Sequence, residues 1–447
     1  MRITRPAARA RRTPARRGAH VPTRTATTAA SSTSGPAATG RSRRTVAAAA
    51  AALLGAVGLA ACGGGDDAGS GDPADVTSIT VQDTFVTDPG ATFYGEQLDA
   101  CGEEVGVDIE RQSIPGGDII SRVLQQASSQ TLPDVLSIDN PDVQQLADAG
   151  ALAPLDQYGV SAEGYSQGVV DANTYEGELY GLQPTTNTLA LFYDPAALEE
   201  AGVEPPTTWD ELRSAAETLT EGDRYGIAFS APPSYEGTWQ FLPFMWSNGG
   251  DESDIATPET AEALQLWVDL VESGSASPSV VTWGQEDVND QFIAGNAAMM
   301  VNGPWQFPVL AQNPDVDYEV TTLPAPEAGG TVSAPLGGAT WTLPATGDEA
   351  RQQVAADVIA CMGTDENIVE DALTNSTVPS KPELGEQVVA EDPRIQAFVD
   401  QVPDLRSRTG ELGAEWTDAA TSIYEAVQTA LTGGATPEQA LEQAQGR

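Results

Sequence analysis

Histidine is almost absent from this 447-residue chain, and the only one, His20, lies in an arginine-rich segment ahead of anything that reads as folded. The folded part therefore lacks the residue needed for Ser-His-Asp hydrolysis, Cys-His chemistry or histidine-ligated zinc. Lysine is as scarce: Lys381 stands alone, and from Cys62 onward only nine arginines join it against 65 acidic residues. A field of that sign repels phosphate backbones and anionic lipid heads, which argues against nucleic acid, membrane surfaces and anionic ligands as partners. The excess of carboxylates is expected to keep the domain hydrated and says little about its fold. There is no Walker-type phosphate loop and no dinucleotide glycine pattern, so no nucleotide cofactor is expected, and without histidine no metal site is expected either. After Ala61 no stretch approaches 18 consecutive apolar residues, the length that would suggest a spanning helix.

Cysteine is rare too, at three residues, and the first of them is informative. Leu59-Ala60-Ala61-Cys62 closes an apolar run of 16 residues, Val46 to Ala61, that follows Arg41, Arg43 and Arg44. A positive flank, a short apolar helix and small residues at a cleavage point make a secretory signal peptide. The run is shorter than the roughly 20 residues of a permanent span. Its end matches the box of a bacterial lipoprotein leader, in which cutting before Cys62 leaves an N-terminal thiol to take the lipid. Residues 1–61 are read as that leader, with residues 1–44 either an extension of it or the product of an early start codon. Ser42-Arg43-Arg44 also resembles a twin-arginine export signal, although Thr45-Val46-Ala47 fit it poorly, so the export route stays open. Residues 62–75, rich in Gly, Asp and Ser, read as a flexible tether. In an oxidising compartment Cys101 and Cys361 tend to bridge, but two buried thiols fit equally well, because spacing alone does not bring their Cα atoms into range.

The 386 residues from Cys62 onward exceed what one core usually supports, so two lobes or domains are expected. Strand and helix signals alternate from Val76, the pattern of an α/β protein with mostly parallel sheets. Strands are predicted at 78–81, 108–113, 132–138 and 189–193, with helices at 90–105, 119–129 and 142–150. Thr208 precedes Trp209-Asp210-Glu211-Leu212, a hydroxyl cap with acids in the first turn. Thr257 and Pro258 open another helix, in which Leu264, Trp267, Val268 and Val271 recur at helical spacing and mark a buried face.

Three stretches then point to a family. They are Thr188-Leu189-Ala190-Leu191-Phe192-Tyr193-Asp194 with Pro205-Pro206-Thr207-Thr208-Trp209-Asp210-Glu211-Leu212, Phe292-Ile293-Ala294-Gly295-Asn296-Ala297-Ala298-Met299-Met300-Val301-Asn302-Gly303-Pro304-Trp305, and Ala435-Thr436-Pro437-Glu438-Gln439-Ala440-Leu441. In order and separation the chain resembles the family 1 extracellular solute-binding proteins, the sugar-capturing components of ABC importers, of which maltose-binding protein is a member. The resemblance implies a two-lobed periplasmic-binding fold of type II with the ligand between lobes joined by several crossings. It suggests one lobe from 76–187 plus 340–380 and the other from 188–339 plus 381–447. Cys101 and Cys361 then fall in the same lobe, which favours the disulfide.

A sugar offers an apolar face and an edge of hydroxyls, so its site needs flat aromatic surfaces and a few fixed polar groups. The resemblance aligns Trp239 and Trp305 with cleft aromatics of the maltose-binding relatives. Trp341, Trp416 and, more weakly, Trp283 are further candidates, while Trp209 and Trp246 are assigned to structure. Open α/β sheets place ligands at the C-terminal ends of their strands, which nominates Asp83, Thr84, Asp139 and Asn140. Asn187 aligns with a ligand-contacting carboxylate of maltose-binding protein, and the change to Asn puts maltose itself in question. Glu236 and Asp251, flanking Trp239, are the weakest candidates. The expected function is a monomeric, lipid-anchored binding protein without enzymatic activity, which captures a mono- or oligosaccharide and delivers it to an ABC permease driven by a separate ATPase. An exported glycoside hydrolase using two carboxylates is an alternative. So is the same fold holding a cation such as a polyamine.

Overall fold

A computed structural model describes residues 72–446. The leader, Cys62 and most of the tether lie outside the described residues; of the tether, Pro73–Asp75 form one exposed 3-10 turn. Among the described residues no helix is long and apolar enough to cross a membrane.

The first sheet contains β1 (Ser78–Asp83), β2 (Asp108–Ser113), β3 (Val135–Asp139), β4 (Gly181–Leu182) and a late strand, Ala339–Thr342, in the order β2-β1-β3-late strand-β4. The first three strands are parallel, linked through α1 (Gly90–Val105) and α2 (Gly116–Ser129). Alternation along β3 sends Val135 to one face and Leu136 and Ile138 to the other, each face covered by its own apolar cluster. The predicted start at Leu132 is too early. Pro133 has no N–H to give a ladder, and the Asp134 carboxylate is taken by the Thr80 backbone and hydroxyl and by Arg351.

A second sheet is formed by β6 (Ala190–Tyr193), β7 (Met299–Asn302) and β8 (Glu319–Thr321), in the order β8-β6-β7, after a short strand β5 (Thr185–Thr186). The expectation of mostly parallel sheets holds only for β1–β3, because both pairings in the second sheet are antiparallel. Direction follows from where the chain crosses. β1 and β3 run toward the cleft and end there at Asp83 and Asp139; the late strand β9 (Ala339–Thr342) starts at the crossing, so Ala339 must pair antiparallel with Asp139. In the same way β6 leaves the cleft at Ala190 while β7 arrives there at Asn302, its partner. The crossings are laced together by the Thr186 hydroxyl on the Gly337 carbonyl, 2.7 Å, the Thr188 hydroxyl on that of Pro335, 2.8 Å, and pairing of β5 with β10 (Val378–Pro379).

Helices pack around both sheets as their sequences direct. α3 is Asp142–Asp148; α4 (Trp209–Leu219) carries a complete capping box between Thr208 and Glu211. α5 (Tyr235–Ser247) and α6 (Pro258–Glu272, capped by Thr257) join the largest core cluster, where Trp267 is fully buried, as its spacing predicts. α7 is Gln285–Ile293, and α8 (Glu349–Met362) lies against α1, where Cys101 and Cys361 form a disulfide with Cα atoms 5.8 Å apart. The later helices are α9 (Asp365–Asn375), α10 (Trp416–Leu431) and α11 (Pro437–Gln445).

Candidate functional site

The strand ends and crossings surround a cavity of about 500 Å³, within the range of small-molecule sites. Of the residues nominated from sequence, Thr84, Asp139, Asn187, Trp239 and Trp305 line it together. Trp239 enters from α5, and Gly337 admits it: a Cβ at that position would stand 2.5 Å from the indole ring. Trp305 enters from the end of β7. There the Asn302 side chain bonds the Gln285 carbonyl at 2.9 Å and receives the Gly303 N–H at 3.0 Å, fixing the turn. The Trp305 ring folds back over Gly303, where a Cβ would lie 2.0 Å from it.

Six nominated residues sit elsewhere. Asp83 is 0 % exposed, because Arg111 of the neighbouring strand turns its carboxylate into the sheet, with Arg111 Nη2 at 3.3 Å and Nε closer still. Trp341, on β9, is 1 % exposed and packs edge-on to Tyr94 in the core over the first sheet. The first turn of α10 carries Trp416 into the large core, not a polar loop. Asn140 is buried one step behind the wall, donating to the Leu336 carbonyl and to Gln183. Trp283 is half-buried among core residues, and Asp251 pairs with Arg406 at 2.9 Å.

The wall also holds residues that sequence reasoning passed over or ranked low. Tyr235, one turn before Trp239 on α5, is 52 % exposed at the cavity and meets Tyr424 edge-on. Glu236 accepts the backbone N–H of Gln285 at the start of α7, where a carboxylate suits the positive end of the helix. Asp142 lines the cavity from the first turn of α3. Burial, and then the charge of Asp139, push its carboxyl up to about 7, against the opposing pull of Arg408.

Among the described residues Arg408 is the one cation on this wall. It is 8 % exposed; its Nη2 donates to Asp139 at 2.7 Å and to Asn140 at 3.0 Å, and its guanidinium lies 4.7 Å from the centre of the Trp239 ring. Its signal in the sequence was its rarity, as one of nine arginines after Cys62. Chemically the arrangement offers aromatic faces, acceptors on three carboxylates and donors on Arg408 and Asn187.

A model of the family described as bacterial extracellular solute-binding protein matches residues 96–397. Binding proteins of Brucella abortus and Brucella suis are 24 % identical over 274 residues, 59 % of this chain and 66 % of theirs, so the chain spans just under two thirds of those relatives. The galactooligosaccharide-binding protein of Bacillus subtilis is 22 % identical over 413 residues, 87 % of this chain and 93 % of its own. Among solved structures, the cyclic alpha-maltosyl-1,6-maltose binding protein from Arthrobacter globiformis superposes with a TM-score of 0.73 at 26 % identity, over 83 % of this chain and 97 % of that one.

Proposed function

Because the chain belongs to the bacterial extracellular solute-binding protein family, whose members work outside the cytoplasm, we propose that it captures a mono- or oligosaccharide between two lobes and hands it to an ABC permease. The observation that carries the sugar is the cavity wall: Trp239, Trp305 and Tyr235 offer flat apolar faces, while Asp139, Asp142, Glu236 and Asn187 supply acceptors and an amide. A pyranose needs both kinds of surface. Closure would exclude water and strengthen each polar contact, giving a permease a shape to read. The saccharide ligands of the Bacillus and Arthrobacter relatives favour the same class.

The proposal includes a lipid on Cys62 and a protein that acts as a monomer and performs no chemistry on its ligand. It also assigns residues 76–187 with 340–380 to one lobe and 188–339 with 381–447 to the other. Support for that division comes from the sheets, which draw their strands from those segments, and from Phe398, whose ring packs against Phe192 and Phe307.

A thermal-shift screen of the purified protein against maltose, maltotriose, galactooligosaccharides, spermidine and amino acids tests the reading. A ligand present at 100 times its dissociation constant adds about 2.7 kcal/mol and raises the midpoint. A saccharide that raises it and is recovered intact supports capture. Cleavage of the saccharide would replace the reading with hydrolysis, and a response to spermidine alone would replace the ligand.

A further inference from the structure

The unspent hydrogen-bonding capacity of Arg408 points to a role beyond lining the cavity. A guanidinium carries five N–H donors, and the two on Nη2 are taken by Asp139 and Asn140. Among the described residues Nε and Nη1 bond no protein group, although the side chain is more than nine-tenths buried. Buried donors without partners are costly, and those of a cation more so. With Nη2 spent and Nε shut off from the cavity, Nη1 is the donor left to meet a ligand oxygen.

The anchoring of Arg408 adds a mechanical consequence. Its segment is held to the α5 side of the cleft. The Arg406 backbone exchanges hydrogen bonds with Ala334 and Leu336, its guanidinium bonds Asp251 and Glu252, and it stacks 4.7 Å from the Trp246 ring of α5. Arg408 itself stacks on Trp239 of the same helix. Asp139 and Asn140 belong to the other side, at the end of β3 in the first sheet. The pair therefore ties the two walls of the cavity together.

We propose that Arg408 couples capture to closure, tied across the cleft by Asp139 and Asn140 through Nη2 while Nη1 donates to a ligand oxygen such as a sugar hydroxyl. The ligand half of this proposal rests on the saccharide reading. The tie does not, and it is measurable without ligand. Small-angle scattering of the ligand-free protein is expected to show a larger radius of gyration in Arg408→Gln and Asp139→Asn than in the wild type. Calorimetry with maltotriose is expected to show at least tenfold weaker binding in Arg408→Gln. Arg408→Lys should not restore it, because an ammonium has no fork to satisfy both walls at once. Circular dichroism and the unfolding midpoint of Arg408→Lys serve as the folding control. Unchanged scattering in both Arg408→Gln and Asp139→Asn would overturn the tie. Wild-type affinity in Arg408→Gln, or full rescue by lysine, would overturn the ligand contact. Failure of the wild type to bind any saccharide would remove the ligand half together with the saccharide reading, while the scattering still decides the tie.

Discussion

Asp83 and Asp139 occupy equivalent places, each the last residue of a parallel strand of the same sheet, and the fold treats them oppositely. Asp83 is completely buried and neutralised within its own sheet by Arg111 of β2, whereas the Asp139 side chain is half-exposed and neutralised across the cleft by Arg408. The strand-end rule gives an address common to both. What separates them is the source of the cation: an arginine on the adjacent strand turns one carboxylate inward, and an arginine from the opposite wall draws the other toward the cavity.

The largest expected effect comes from breaking the buried member of that comparison. Asp83→Ala leaves Arg111 largely buried without its partner and is expected to cost about 3–5 kcal/mol of stability, while the midpoint shift produced by a bound saccharide stays as in the wild type. Asp139→Ala also strips a largely buried arginine of its carboxylate and should lose stability too, but unlike Asp83→Ala it should bring a large loss of affinity. Urea unfolding beside calorimetry checks both. Equal losses of affinity in the two variants would erase the distinction between inward and cleft-facing carboxylates.

The comparison sharpens with the disulfide, which lies in the body that holds Asp83. Replacing Cys101 and Cys361 together by Ala is expected to lower stability by about 2–4 kcal/mol and leave saccharide affinity within twofold, because α1 and α8 pack behind the sheet and line no part of the cavity. Loss of affinity on removal would show that the packing behind the sheet sets the position of its strand ends.

Much of this arrangement is legible in the sequence, for reasons that the tryptophans illustrate. Trp267 falls at helical spacing among apolar neighbours, and Trp209 follows a capped helix start, so local pattern alone assigns both to the core, where they lie. Trp239 and Trp305 owe their nomination to the family resemblance, and both stand on the cavity wall. Trp341 and Trp416 mislead because each follows glycine or polar residues that read as loop. The pairing of β9 with β3 and the packing of α10 are long-range events that no local window contains. Arg408 escapes for the same reason. Its partners Asp139 and Trp239 are remote in sequence, and only the crossing at Gly337 brings the three together.

The test most diagnostic of the cavity's electrostatics concerns Asp142, three residues after Asp139. Asp139 has a cation and Asp142 has none bonded to it, so burial and its acidic neighbour raise its carboxyl to about 7. In the unfolded chain an aspartate titrates near 4. Between those two values the folded state holds a proton that the unfolded state has released, so stability falls as pH rises through this window, at most about 1.4 kcal/mol per pH unit for the single group. Asp142→Asn mimics the protonated form and removes this slope. Urea unfolding of both proteins from pH 4 to pH 8 should give similar stabilities at the acid end and a growing advantage for the variant as pH approaches 7. The fully buried Asp371, raised to about 6 mainly by desolvation, contributes equally to both proteins and cancels in the difference. Parallel curves would mean that Asp142 is ionised throughout and that water or a cation reaches it from the cleft. A gap that closes when saccharide is added would instead identify Asp142 as a carboxyl the ligand satisfies, on the same wall where Asp139 is already satisfied by Arg408.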